Sequence, residues 1–221
     1  MSLILNIRGT NGSGKSTLVR QIMDHFGVAE ALRDPAVDKG KVWAYKLGFK
    51  IPTPIPIYVL GRYESICGGV DTIKDFATTR ERISRLAALG HTIFEGVLWS
   101  TVFKSSDLFV KENPFHKIVF AILDTSEEIC IERVMKRRQE KGNTKPFNPA
   151  ELISKITQIR LRMEDLKNAG FDTRIIPYQD GLKTVLNWMT EMGIFTEPLL
   201  KVRGWHIAWP NTPTDFIGGI K

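Results

Sequence analysis

The sequence predicts an α/β fold in three layers, a parallel sheet with helices on both faces and a small arginine-bearing lid. Three observations lead there. Short apolar runs alternate with segments of helical period along the chain, the pattern of a parallel sheet crossed by helices. The stretch Gly9-Thr10-Asn11-Gly12-Ser13-Gly14-Lys15-Ser16 fits G-x-x-x-x-G-K-[ST] without a mismatch, between a strand-type run and a helical one. Two other marked stretches, Arg62 to Asp71 and Glu95-Gly96, follow apolar runs, so they fall at strand ends, where open α/β sheets bind ligands.

Leu3 to Ile7 reads as the first strand, and a helix runs from Ser16 to about Gly27. Residues 29–41 are charged and mixed, the composition of a surface connection. Val42 to Leu47 is a strand or short ribbon. Pro52, Pro54 and Pro56 remove three donors, so residues 51–56 form an extended surface loop and not a central strand. Ile57 to Leu60 is the next strand, and a helix over 72–89 ends at Gly90. His91 to Glu95 is a strand that closes on an acid, with a helical segment over 97–110 behind it. Lys117 to Asp124 is the clearest buried strand. A helix over 127–140, a loop to Pro149, a long helix to Lys167, a strand over 173–176 and a helix over 182–192 complete the pattern. Connections are expected to be right-handed. Residues 1–193 thus read as one domain with a lid at about 133–149. Residues 194–221, with Trp205, Trp209 and Phe216 among prolines and glycines, read as a tail packed back on it.

Among 221 residues no apolar run reaches the roughly 18 of a membrane span, so no membrane partner is expected. The chain starts directly with a strand, without a charged leader, which predicts a cytoplasmic protein. Two cysteines, Cys67 and Cys130, make neither a disulfide framework nor a zinc site. The net charge of +7 and a pI near 9.4 favour an anionic partner larger than one nucleotide.

The loop residues Asn11, Gly12, Ser13, Gly14, Lys15, Ser16 and Thr17 suit the phosphates of a nucleoside triphosphate. The glycines let backbone N–H groups turn inward as an anion nest, and the following helix adds its positive end. Lys15 reaches the outer phosphates and the Ser16 hydroxyl ligates Mg²⁺. A carboxylate is then needed near the metal and another near an acceptor hydroxyl. Asp71 is assigned to orienting or deprotonating the acceptor and Glu95 to the metal shell, with the reverse open and an N-cap of the following helix the competing reading for Asp71. Arg133 and Arg137 lie four apart on one helical face and suit charge developing on a transferring phosphoryl group. In the acceptor segment Arg62 suits a phosphate and Tyr63 a stacked base. Glu64 adds a carboxylate, and Gly69, after Gly68, permits a close backbone approach.

The loop, Glu95-Gly96 behind an apolar strand, and the arginine helix before a loop resemble the nucleoside and nucleotide kinases of the P-loop superfamily. Ile7 to Thr17, with Gly61-Arg62-Tyr63 and Cys67-Gly68-Gly69-Val70-Asp71, more specifically resemble phage-encoded kinases that phosphorylate 5-hydroxymethyluracil within DNA, a step in thymidine hypermodification. The resemblance implies a P-loop kinase fold, ATP and Mg²⁺, a DNA acceptor and the cytoplasm of an infected bacterium. The base would be flipped out or met in an open strand, with Tyr63 or Trp99 as its stacking surface and lid lysines on the backbone. A kinase for free nucleosides or nucleotides, and a nucleotide-binding regulator without an acceptor, are the rival readings.

Overall fold

The structure, a computed structural model, describes residues 2–34, 37–64, 68–73 and 75–195. Cys67 and the tail aromatics Trp205, Trp209 and Phe216 lie outside the described residues. Leu3–Arg8 (β1), at the centre of the sheet, is buried along its whole length, its apolar Leu3, Ile4, Leu5 and Ile7 together with Asn6 and Arg8. It leads through the glycine loop into Lys15–Phe26 (α1), whose apolar face Leu18, Val19, Ile22, Met23 and Phe26 turns inward. A hairpin follows, Val28–Asp34 (β2) with Val37–Leu47 (β3), then Ile57–Leu60 (β4). A 3-10 turn at Val70–Thr72 precedes Phe76–Leu89 (α2) and His91–Glu95 (β5). Val97–Thr101 (α3), Phe103–Glu112 (α4), Lys117–Asp124 (β6), Glu127–Glu140 (α5), Pro149–Asn168 (α6), Asp172–Pro177 (β7) and Gly181–Glu191 (α7) complete the described elements.

The sheet runs in the order β2-β3-β4-β5-β1-β6-β7. From β4 to β7 all pairs are parallel, as expected, and β1 lies centrally between β5 and β6. The β2–β3 hairpin joins this block antiparallel through β3 and β4. This corrects the expected surface connection over 29–41. β2 pairs on one side only and its side chains from Val28 to Arg33 are mostly exposed, so it needs no apolar run and shows none. The proline loop before β4 contains no helix, and a connection without a crossover helix returns the chain antiparallel.

Alternate residues of β1 face two cores. Leu3, Leu5 and Ile7 join α1 and α7 on one face, while Ile4 joins α2, α4 and α6 residues on the other. Of the expected tail over 194–221 only Ile194 and Phe195 are described; Phe195 is buried edge-on against Phe26 at 5.4 Å. The helix expected over 97–110 is two helices, broken at Val102 in extended backbone. No helix among the described residues is long and apolar enough to cross a membrane.

Phe109 of α4 is fully buried, edge-on to Phe94 at 6.3 Å and Trp99 at 5.9 Å. Phe109→Ala should remove about 3–5 kcal/mol of stability. Urea denaturation checks this as a lower midpoint at an unchanged slope.

Candidate active site

The glycine loop is shaped by its own contacts. Gly12 has φ +82°, and a Cβ there would lie 2.5 Å from the Cys130 carbonyl oxygen, so only glycine lets the loop rest on α5. The Ser13 hydroxyl donates to Thr10 O at 2.9 Å, and the Thr125 hydroxyl donates to Ser13 O at 2.7 Å. Lys15 Nζ folds back over the loop to donate to Thr10 O at 2.9 Å. The N-terminus of α1 carries no side-chain cap and no acid in its first turn. An uncapped helix N-terminus of this kind suits an anion. Asn11 and Gly14 are half-buried in this loop, and Thr17 is exposed in the first turn of α1.

The register of β1 and β5 sets Glu95 beside Ile7, two residues before the loop. Glu95 is 2% exposed. Its Oε1 accepts from Ser16 Oγ at 2.7 Å, and its Oε2 lies 3.9 Å from Lys15 Nζ. Burial raises the Glu95 carboxyl above the usual carboxylate range, against the charge of Lys15. Burial likewise lowers Lys15, against Glu95 and then Asp71. Lys15, Ser16 and Glu95 thus form one contact group.

Asp71 sits on the exposed rim of this group. Its two oxygens accept from the amides of Val97 at 2.7 Å and Leu98 at 3.1 Å. The expected cap role is therefore real but belongs to α3. The N-cap of α2 is Asp75, which accepts from Thr78 N at 2.7 Å. Gly96 separates the two acids, and a Cβ there would lie 2.9 Å from Asp71 Oδ1.

The acceptor segment departs from expectation at two aromatics. Tyr63 is 7% exposed and packs against Tyr45 at 6.2 Å and beneath Arg20 at 5.9 Å. Trp99 is 2% exposed within the ring cluster of Phe76, Phe94 and Phe109. Neither has an open face for a base; packing of large rings outweighs the exposure that stacking requires. Arg62 Nε donates to Val42 O at 3.2 Å and ties this segment to β3. Glu64 is exposed and hydrogen-bonded to the Tyr45 hydroxyl.

The arginines of α5 divide. Arg133 Nη1 donates to Gly12 O at 3.2 Å, while Nη2 donates to the Tyr178 hydroxyl and the guanidinium lies 4.6 Å from that ring. Arg137 is the smallest of the influences on Lys15, lowering its pKa after burial does so and against Glu95, Asp71 and Cys130. Arg138 instead donates to Lys145 O and lies over Phe147 at 5.8 Å, holding the connection to α6. Sequence reasoning missed Tyr178, although its place just beyond the end of β7 is the position that flagged Glu95. It also missed Arg8, fully buried, with Nε donating to Asn6 Oδ1 at 2.7 Å and its pKa pushed down to about 9 by burial.

Gly69 has φ +88°, and a Cβ there would lie 2.4 Å from Glu95 Oε1. Gly69→Ala should displace the carboxylate and lower ATP-dependent transfer by about 10²-fold. Turnover set beside the melting temperature checks this; loss of transfer in a folded variant is expected.

No protein-family model matches this chain. It is 34% identical over 169 residues to a protein of Pseudomonas phage PaMx11 named 5-hmdU DNA kinase, covering 76% of this chain and 86% of that one. A Delftia phage PhiW-14 protein of the same name is 31% identical, covering 77% of this chain and 66% of its relative. Among solved structures, a deoxyadenosine kinase from M. mycoides aligns at TM-score 0.43 and 11% identity, covering 85% of this chain and 99% of that one. With its P-loop, strand-end acid and arginine helix, the chain belongs to the family of the phage 5-hmdU DNA kinases.

Proposed function

We propose that this kinase transfers the γ-phosphoryl group of ATP to the hydroxymethyl oxygen of 5-hydroxymethyluracil in DNA, with Mg²⁺. The observation that carries the reading is an exposed carboxylate, Asp71, one glycine away from the buried Lys15–Ser16–Glu95 group. A triphosphate site with an exposed acid on its open side has what a hydroxyl acceptor needs.

The loop amides and Lys15 hold the phosphates. Among the described residues no three acidic, histidine or cysteine side chains gather. A magnesium ion bridged by nucleotide phosphates needs only one or two protein ligands, and Ser16 with Glu95 fits that donor set. When bound, the ion neutralises charge on the outer phosphates. The two amide bonds at Asp71 leave about half of the carboxylate's lone-pair sites free. Asp71 orients the acceptor hydroxyl and takes its proton as the new P–O bond forms and ADP leaves. Arg133, which donates to Gly12 O of the loop, and Arg137, one turn further along α5, supply positive charge for the transferring phosphoryl group.

The name shared by the relatives supports a DNA acceptor over a free nucleotide. The exposed lysines Lys136, Lys141 and Lys145 and the net charge of +7 supply backbone contacts for it. The test offers 5-hydroxymethyluracil DNA and the matching free deoxynucleotide side by side with labelled ATP and Mg²⁺. Label on the DNA, with affinity falling steeply as salt rises, is expected. Label on the free nucleotide alone would overturn the DNA reading.

A further inference from the structure

Tyr178 follows β7 directly, at the carboxyl edge of the sheet. The register of β6 and β7 sets Pro177 beside Asp124, so Tyr178 comes level with Thr125, whose hydroxyl donates to Ser13 O of the glycine loop. Arg133 reaches the same place from α5. It stands three residues after Cys130, whose carbonyl lies against Gly12, and so shares the helix face that rests on the loop. Its Nη1 donates to Gly12 O at 3.2 Å, and a Cβ on Gly14 would lie 3.4 Å from the same nitrogen. The guanidinium therefore lies along the loop backbone just before Lys15. On its other side Nη2 donates to the Tyr178 hydroxyl, and the Tyr178 ring lies 4.6 Å away, within cation–π range. Both side chains are half-buried, so the pair borders the open side of the loop.

We infer that Tyr178 is a positioning residue for phosphoryl transfer: it holds the Arg133 guanidinium at the glycine loop before transfer begins. This rests on the reading of Arg133 as a group that meets the charge of the transferring phosphoryl. An arginine side chain has many rotamers, and a guanidinium without support would have to be ordered in each turnover. Tyr178 supports it twice. The ring carries the guanidinium plane, and the hydroxyl takes one N–H and fixes the direction of the fork. A guanidinium has five N–H donors, and the contacts with Gly12 and Tyr178 take one on each terminal nitrogen, which leaves the fork able to meet phosphate oxygens. The tyrosine acts through Arg133 and touches neither the phosphates nor the acceptor.

Tyr178→Phe, which keeps the ring, and Tyr178→Leu, which removes ring and hydroxyl, test this in the parent and in Arg133→Ala. Transfer of label from ATP is measured with Mg²⁺ on the acceptor that the parent labels. In the parent background kcat should fall about threefold for Tyr178→Phe and about tenfold for Tyr178→Leu, with KM for ATP within about twofold of the parent. In the Arg133→Ala background neither substitution should lower kcat further. A loss that persists there would overturn the inference, because the tyrosine would then serve the fold and not the arginine. A rise in KM for ATP in place of the fall in kcat would overturn it too, since Tyr178 would then be a nucleotide contact. So would a parent kcat in Tyr178→Leu or, should that variant not fold, in Tyr178→Phe. Arg133→Ala with the turnover of the parent would overturn the Arg133 reading itself, and this inference with it.

Discussion

Lys15, the first residue of α1, and Glu95, the last of β5, are buried side by side, and the site is arranged around that contact. Burial works against both charges, lowering the lysine and raising the glutamate, and each partly relieves the other. A buried ion pair is a poor source of net stability. Its effect is positional. The loop must turn to bring Lys15 over Thr10, and β5 must stand in register with β1. Gly69 must lack a side chain for the carboxylate to remain where it is. Ser16 then hydrogen-bonds to the same carboxylate, so the phosphate loop and the acid strand meet at one oxygen.

The protein is not optimised for stability in this region. Buried polar atoms without partners among the described residues include Thr10 Oγ1, Tyr63 OH, Arg8 Nη1 and Trp99 Nε1, all in or near the loop and the elements that pack on it. Arg137 adds a further positive influence on Lys15, and Arg133 rests on the loop backbone. On the proposed reading, a polyphosphate would bring the opposite charge to Lys15 and Arg133. Native proteins depart from local consistency mainly at such sites.

Much of this was legible before any coordinates. The glycine loop was legible because its residue types answer to backbone geometry and phosphate chemistry in one short stretch. β6 was legible because a strand buried on both faces must be apolar throughout. Glu95 was found by position, an acid ending an apolar strand. The failures have physical causes too. β2 is a half-paired edge strand whose mixed residues satisfy an exposed ribbon as well as a loop. Tyr63 and Trp99 looked available because residue type does not report burial, and here the ring clusters claim them. Asp71 precedes one helix in sequence but caps another in space, a link across 26 and 27 residues that local patterns do not encode.

The central claim is that Ser16 and Glu95 act as one unit. A double-mutant cycle on phosphoryl transfer, with Ser16→Ala, Glu95→Gln and the pair, measures it. If the two side chains serve one metal-holding function, the double variant should be no slower than the worse single variant. Losses that multiply would contradict the account, because two side chains acting separately would each keep their full effect in the absence of the other.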